Sequence, residues 1–110
     1  MNDYIESNIE STSTILRALS NEHRLRIMMW IMHPETHFPP QQDGDLVKDG
    51  VCVGFITDKI GLTQPTVTSH MKVLAKAGLV TSKPIKNWVF YKPQRANFKA
   101  ALTSLNDMLG

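Results

Sequence analysis

Cysteine is almost missing from this 110-residue chain, and Cys52, standing alone, rules out an intrachain disulfide framework. Long apolar runs are missing too: none approaches the roughly 20 residues needed to cross a bilayer. The opening MNDYIESNIESTST has neither the basic start nor the apolar stretch of a secretory signal. These absences predict a cytoplasmic protein with no membrane partner. With 42% hydrophobic and 20% charged residues, the chain can build one modest core and is not a disordered polymer. A single domain over residues 1–110 is expected, and no internal repeat is visible.

Acids are scarce in one half only. Residues 54–99 carry eight lysines and arginines against Asp58 alone, a net +7, whereas residues 1–53 carry four cations against eight acids, a net −4. A solvated lysine surface without function would spread its lysines through both halves. A basic segment of this kind fits a polyanion.

What fills that segment is a helix-turn-helix pattern at residues 54–78. Ile56 and Ile60 lie four apart and share a helix face. Gly61 can take the left-handed conformation that ends a helix, and Thr63 can cap the next one. Pro65 falls in the first turn, where its missing N–H costs nothing. Val67, His70/Met71 and Leu74 then recur at helical spacing as the buried stripe, and Gly78 closes the helix. Gln64, Thr66, Thr68, Ser69 and Lys72 are left mostly off the stripe.

The flanks read as follows. Ile5, Ile9, Thr12, Ile15/Leu16 and Leu19 predict an amphipathic helix over 4–19. Ser20 or Asn21 offers an N-cap for a second helix, apolar around most of its circumference and ended by Pro34. Residues 33–50, with three prolines and two glycines, support neither periodicity and predict a long loop. Val51-Cys52-Val53 is expected as one short strand. Residues 79–83 and 88–92 are rich in β-branched and aromatic side chains, with Pro84-Ile85-Lys86-Asn87 as the tip between them. This predicts a β-hairpin wing over 79–93, with Pro84 at the edge or end of its strand. A last helix is expected over 94–109, with Phe98, Ala101/Leu102, Leu105 and Met108/Leu109 along one side. The first and last helices each carry an apolar stripe that one small core cannot easily cover. They pack on each other or on a second copy, and a homodimer reading two half-sites is favoured. The fold class is thus mainly α with a small β-hairpin wing, a winged helix-turn-helix with a helical dimer interface.

ALSNEHRLRIM (18–28), VCVGFITDKIGLTQPTVTSHMKVLAKAGLV (51–80) and VFYKP (89–93) resemble the ArsR-type (ArsR/SmtB) winged-helix repressors over most of residues 18–93. That family's recognition-helix pattern is a polar cap followed by Gln-Pro, then Ser-x-His-hydrophobic-Lys-x-Leu. It is matched by Thr63-Gln64-Pro65 and by Thr68-Ser69-His70-Met71-Lys72-Val73-Leu74. The resemblance implies a homodimeric transcription regulator and gives these positions the recognition-helix role. It does not extend to the family's familiar metal sites. Their cysteine pair flanking a valine is reduced to Cys52-Val53-Gly54, and residues 94–109 have no histidine and only Asp107 as an acid.

Double-stranded DNA is therefore the expected partner. Gln64 suits bidentate pairing with adenine, while Pro65, Thr66, Thr68 and Ser69 share the reading end of the helix. Lys72 suits a phosphate, and Lys83, Lys86 and Asn87 on the wing suit the backbone or minor groove. His70, near the edge of the stripe, suits either a phosphate contact or a packed, hydrogen-bonded site. Arg24 and Arg26 suit a phosphate clamp or an internal ion pair. His33, His37 and Cys52 are zinc or other transition-metal candidates by residue type alone, without a tetrahedral signature, so no cofactor is predicted. The methionine-rich second helix suits core packing more than a ligand pocket. No nucleophile elbow or metal-hydrolase motif joins the available Ser, His and Asp, so an enzyme is not expected. The competing reading is a winged-helix protein-interaction module without specific DNA readout. The effector and operator leave no mark in the sequence.

Overall fold

Three apolar stripes meet at the centre of the computed structural model, which describes residues 2–110, with side chains described from Asn8 onward. They belong to α2 (Glu22–Met32), α4 (Val53–Ile60) and α5 (Gln64–Lys76). Ile27, Met28 and Ile31 of α2, Ile56 of α4, and Val67, Met71 and Leu74 of α5 are all essentially inaccessible. Burial of such side chains is the main favourable term, each contributing about 1.5–3 kcal/mol relative to exposure. The second helix is less apolar in effect than its sequence predicts. Leu25 and Met29 remain half exposed, so only one side of it is core.

Asn21 is the N-cap of α2; its Oδ1 accepts from the amides of His23 and Arg24 at 3.0 and 3.2 Å. The first helix, α1 (Asn2–Leu19), buries Thr12, Ile15 and Ala18. Of its predicted stripe, Ile9 and Leu16 face out, and Ile5 lies outside the described side chains. The last helix, α6 (Arg95–Asp107), packs against α1 and buries Ala101.

The stretch read as a long loop begins with a helical turn, α3 (Pro34–His37). Pro34, expected only to end α2, stands in the first turn of α3, where proline needs no amide partner. Residues 38–50 that follow are irregular but tightly bonded. Val51 and Cys52 form β1; Val53, expected in the same strand, is already the first residue of α4.

The wing is three-stranded, in the order β1–β3–β2, all antiparallel, with β2 (Val80–Ile85) and β3 (Trp88–Pro93) forming the hairpin. Its tip is shorter than the sequence suggests. Ile85 pairs with Trp88 and Pro84 with Val89, leaving Lys86-Asn87 as a two-residue turn with Lys86 at φ 55°. Left-handed backbone at the first loop residue is what such tight hairpins require. Pro84 lies in the edge strand, where no ladder bond needs its amide. No described helix is long and apolar enough to cross a membrane.

Candidate nucleic-acid interface

Both ends of α5 are fixed by local chemistry. Gly61 ends α4 at φ 74°, Leu62 and Thr63 complete the turn, and Thr63 Oγ1 accepts from the Thr66 amide at 3.4 Å. At the far end the Gly78 amide donates to Ala75 O and the Leu79 amide to Leu74 O, both at 3.0 Å, with Gly78 at φ 77°. This is a Schellman stop, and the buried Leu74 and Leu79 supply its apolar contact. A helix so capped is a rigid platform for the side chains it projects.

With Val67, Met71 and Leu74 inward, 100° per residue turns Pro65, Ser69, Lys72 and Lys76 directly outward. Gln64, Pro65, Thr66, Ser69 and Lys72 are exposed, and Thr68 is half-buried on the flank. Thr66 Oγ1 lies 2.9 Å from Thr63 Oγ1, which holds the first turn's hydroxyls together. Lys72 and Lys76 make no ion pair among the described residues. Lys76 was not singled out from sequence, although its spacing of four from Lys72 puts it on the same face.

His70 sits apart from this face. Its Nδ1 is 3.1 Å from Arg24 Nη1, and its ring lies 5.7 Å from that of His23. Burial, then the Arg24 and His23 charges, push its pKa below the ordinary histidine value. Of the two roles open to it from sequence, the packed, hydrogen-bonded one describes its surroundings. Arg24 also donates from Nε to Ala18 O at 2.6 Å, while Arg26 pairs loosely with Glu22 at 3.8 Å. Both arginines thus have internal partners.

The wing cations are not free. Lys83 Nζ is 2.7 Å from Asp49 Oδ1, Lys86 Nζ is 2.8 Å from Asp43 Oδ1, and Lys92 Nζ donates to Lys48 O at 3.3 Å. The Asp43 hydrogen bond raises the Lys86 pKa. The Asp45 amide, followed by Lys83, lowers that of Asp49. Asn87 is exposed at the tip. Elsewhere in the basic segment Lys59 lies over the Trp30 ring, 5.1 Å from its centroid, and Arg95 donates to Met32 O.

His33 is exposed between α2 and α3, His37 is half-buried at the end of α3, and Cys52 is buried in β1. Among the described residues no three His, Cys, Asp or Glu side chains gather as a metal-holding group.

The family model described as "Bacterial regulatory protein, arsR family" matches residues 48–82, the segment from the end of the loop to the start of the wing. A relative from Bacillus subtilis, the HTH-type transcriptional regulator YbzH, is 41% identical over 78 residues, which is 71% of this chain and 78% of the relative. The chain belongs to the ArsR family of transcriptional regulators. Solved structures agree on the winged-helix fold. An ArsR-like regulator from Rhodococcus sp. RHA1 superposes with a TM-score of 0.69 at 16% identity, covering 93% of this chain and 82% of that one. Reduced HlyU from Vibrio cholerae superposes at 0.63 with 24% identity, covering 90% of each chain. In the fold they share with this ArsR-family chain, α5 is the second helix of the helix-turn-helix and the β2–β3 hairpin is the wing.

Proposed function

We propose that this chain is a homodimeric, sequence-specific DNA-binding repressor. In this reading the first half of α5 lies in the major groove, with Gln64, Thr66, Thr68 and Ser69 at base edges. Lys72 and Lys76 meet phosphates, and Lys83, Lys86 and Asn87 bring the wing to the backbone or minor groove. The observation that carries it is the exposed first half of α5, a helix capped at both ends, whose Gln64, Thr66 and Ser69 side chains are open to solvent. Repression needs only occupancy of promoter DNA, which such an element supplies by itself.

The dimer is supported by apolar side chains left uncovered on the paired terminal helices. Ile9 and Leu16 on α1 are 43% and 44% exposed, and Leu102 and Met108 at α6 are 55% and 60% exposed. A second copy related by a two-fold axis would cover both helices at once.

The test compares wild type with Gln64→Ala on a panel of duplexes differing at single base pairs. A bidentate Gln–adenine contact contributes about 1–3 kcal/mol of discrimination. The expected result is loss of that discrimination at one position, with a steep fall of affinity with salt retained. Equal weakening on every duplex would remove Gln64 from base reading.

A further inference from the structure

Residues 38–50 lie against the outer face of the wing, and the fit is specific. Gln41 Oε1 accepts from the Cys52 amide at 2.7 Å, while its Nε2 donates to the carbonyls of Gly50 and Gly44 at 3.0 and 3.2 Å. A Cβ on Gly44 would come within 2.9 Å of the Phe90 ring, and one on Gly50 within 2.4 Å of Tyr91 O. Phe90, only 2% exposed, pairs in register with Cys52 and with Lys83, so this strap covers the face from which Lys83 projects.

The strap brings three carboxylates. Asp45 Oδ2 is occupied within the strap, accepting from the amides of Val47 and Lys48 at 3.0 and 2.7 Å. Asp49 Oδ2 accepts from the Asp45 amide at 2.8 Å, which leaves Oδ1 for Lys83. Asp43 Oδ1 takes Lys86. With Lys92 on Lys48 O, all three lysines of the hairpin have their ammonium groups on the strap, while Lys72 and Lys76 of α5 do not.

We infer that the strap is an autoinhibitory phosphate mimic, in which Asp43 and Asp49 occupy the wing lysines in competition with the DNA backbone. This rests on the DNA-binding reading above. A lysine neutralised by a carboxylate displaces fewer counterions from DNA, so each pair lowers both affinity and its salt dependence. Exposed ion pairs are individually weak, which makes the inhibition a graded trim of affinity.

The test measures binding of the full chain to a mixed-sequence DNA duplex over a range of salt. The proteins are wild type, Asp43→Asn/Asp49→Asn, and Glu22→Gln/Glu35→Gln, which makes the same change in net charge on α2 and α3. Asparagine can still accept the Asp45 amide, and a melting curve checks that the strap variant is folded. It should bind about three- to tenfold tighter than wild type. Its log–log salt slope should be steeper by about 1–2. Placed on a Lys83→Gln/Lys86→Gln background, the same pair of substitutions should give no gain. An equal gain from the Glu22/Glu35 variant, or a gain that survives loss of both lysines, would overturn the strap's role. So would wild-type binding that the strap variant leaves unchanged, and this outcome spares the DNA-binding reading. No binding by wild type or variant would overturn that reading, and the strap's role with it.

Discussion

Because a guanidinium has only donors, the contact between Arg24 and His70 requires His70 Nδ1 to accept. His70 is then neutral, with its proton on Nε2, and sits between Arg24 and a second histidine whose Nδ1 is buried without a partner among the described residues. Protonation would remove the acceptor and place a cation against Arg24. Since burial and these neighbours depress the folded pKa, the unfolded chain takes up the proton first. Stability contributed here is therefore complete above the unfolded value of about 6.5 and is lost as pH falls from there toward the folded value. Denaturant unfolding at stepped pH should show this slope in wild type and a shallower one in His70→Gln, which keeps an acceptor but does not titrate. Identical slopes would show that His70 is not the titrating group. At this scale the caps were legible, since Asn21, Thr63 and Gly78 act on amides within a few residues. The Arg24–His70 bond was not, because it joins positions 46 apart and nothing local marks either as the other's partner.

Among the elements, legibility followed how local the decisive interaction is. The helix-turn-helix was readable because its stripe, glycine turn and caps lie in one continuous run. The third strand of the wing and the cover over Phe90 depend on contacts across some 40 residues. Pro34 and Pro84 mark the contrast: proline chemistry alone places the second at a sheet edge, whereas the first turned out to open a helix. Gly50 is where the strap meets the sheet most closely. Its φ of 103° is outside the range most side chains adopt, and an added Cβ would collide with Tyr91 O. Gly50→Ala should therefore lower stability by about 1–3 kcal/mol, seen as a reduced denaturation midpoint at unchanged m-value. A loss below about 0.5 kcal/mol would mean that the strap shifts freely and is not seated as described.

At the scale of the whole molecule, the charge asymmetry and the uncovered helices point in complementary directions. The basic half holds α5 and the wing, yet three of its lysines are engaged by the acidic half of the same chain. The cations left for DNA are fewer than the sequence total of +7 implies, and only the folded arrangement reveals this. The helices α1 and α6 pack together and still expose Leu16 and Leu102, an arrangement that a two-fold partner would complete. A dimer with one reading helix per protomer makes a geometric demand on its operator. Selection of bound duplexes from a random pool, followed by sequencing, tests this most directly. The expected product is an enriched pseudo-palindrome whose half-site centres lie about 10–10.5 base pairs, or a multiple of that, apart. A pool that stays random after repeated selection, or one enriched for a single unrepeated half-site, would contradict it.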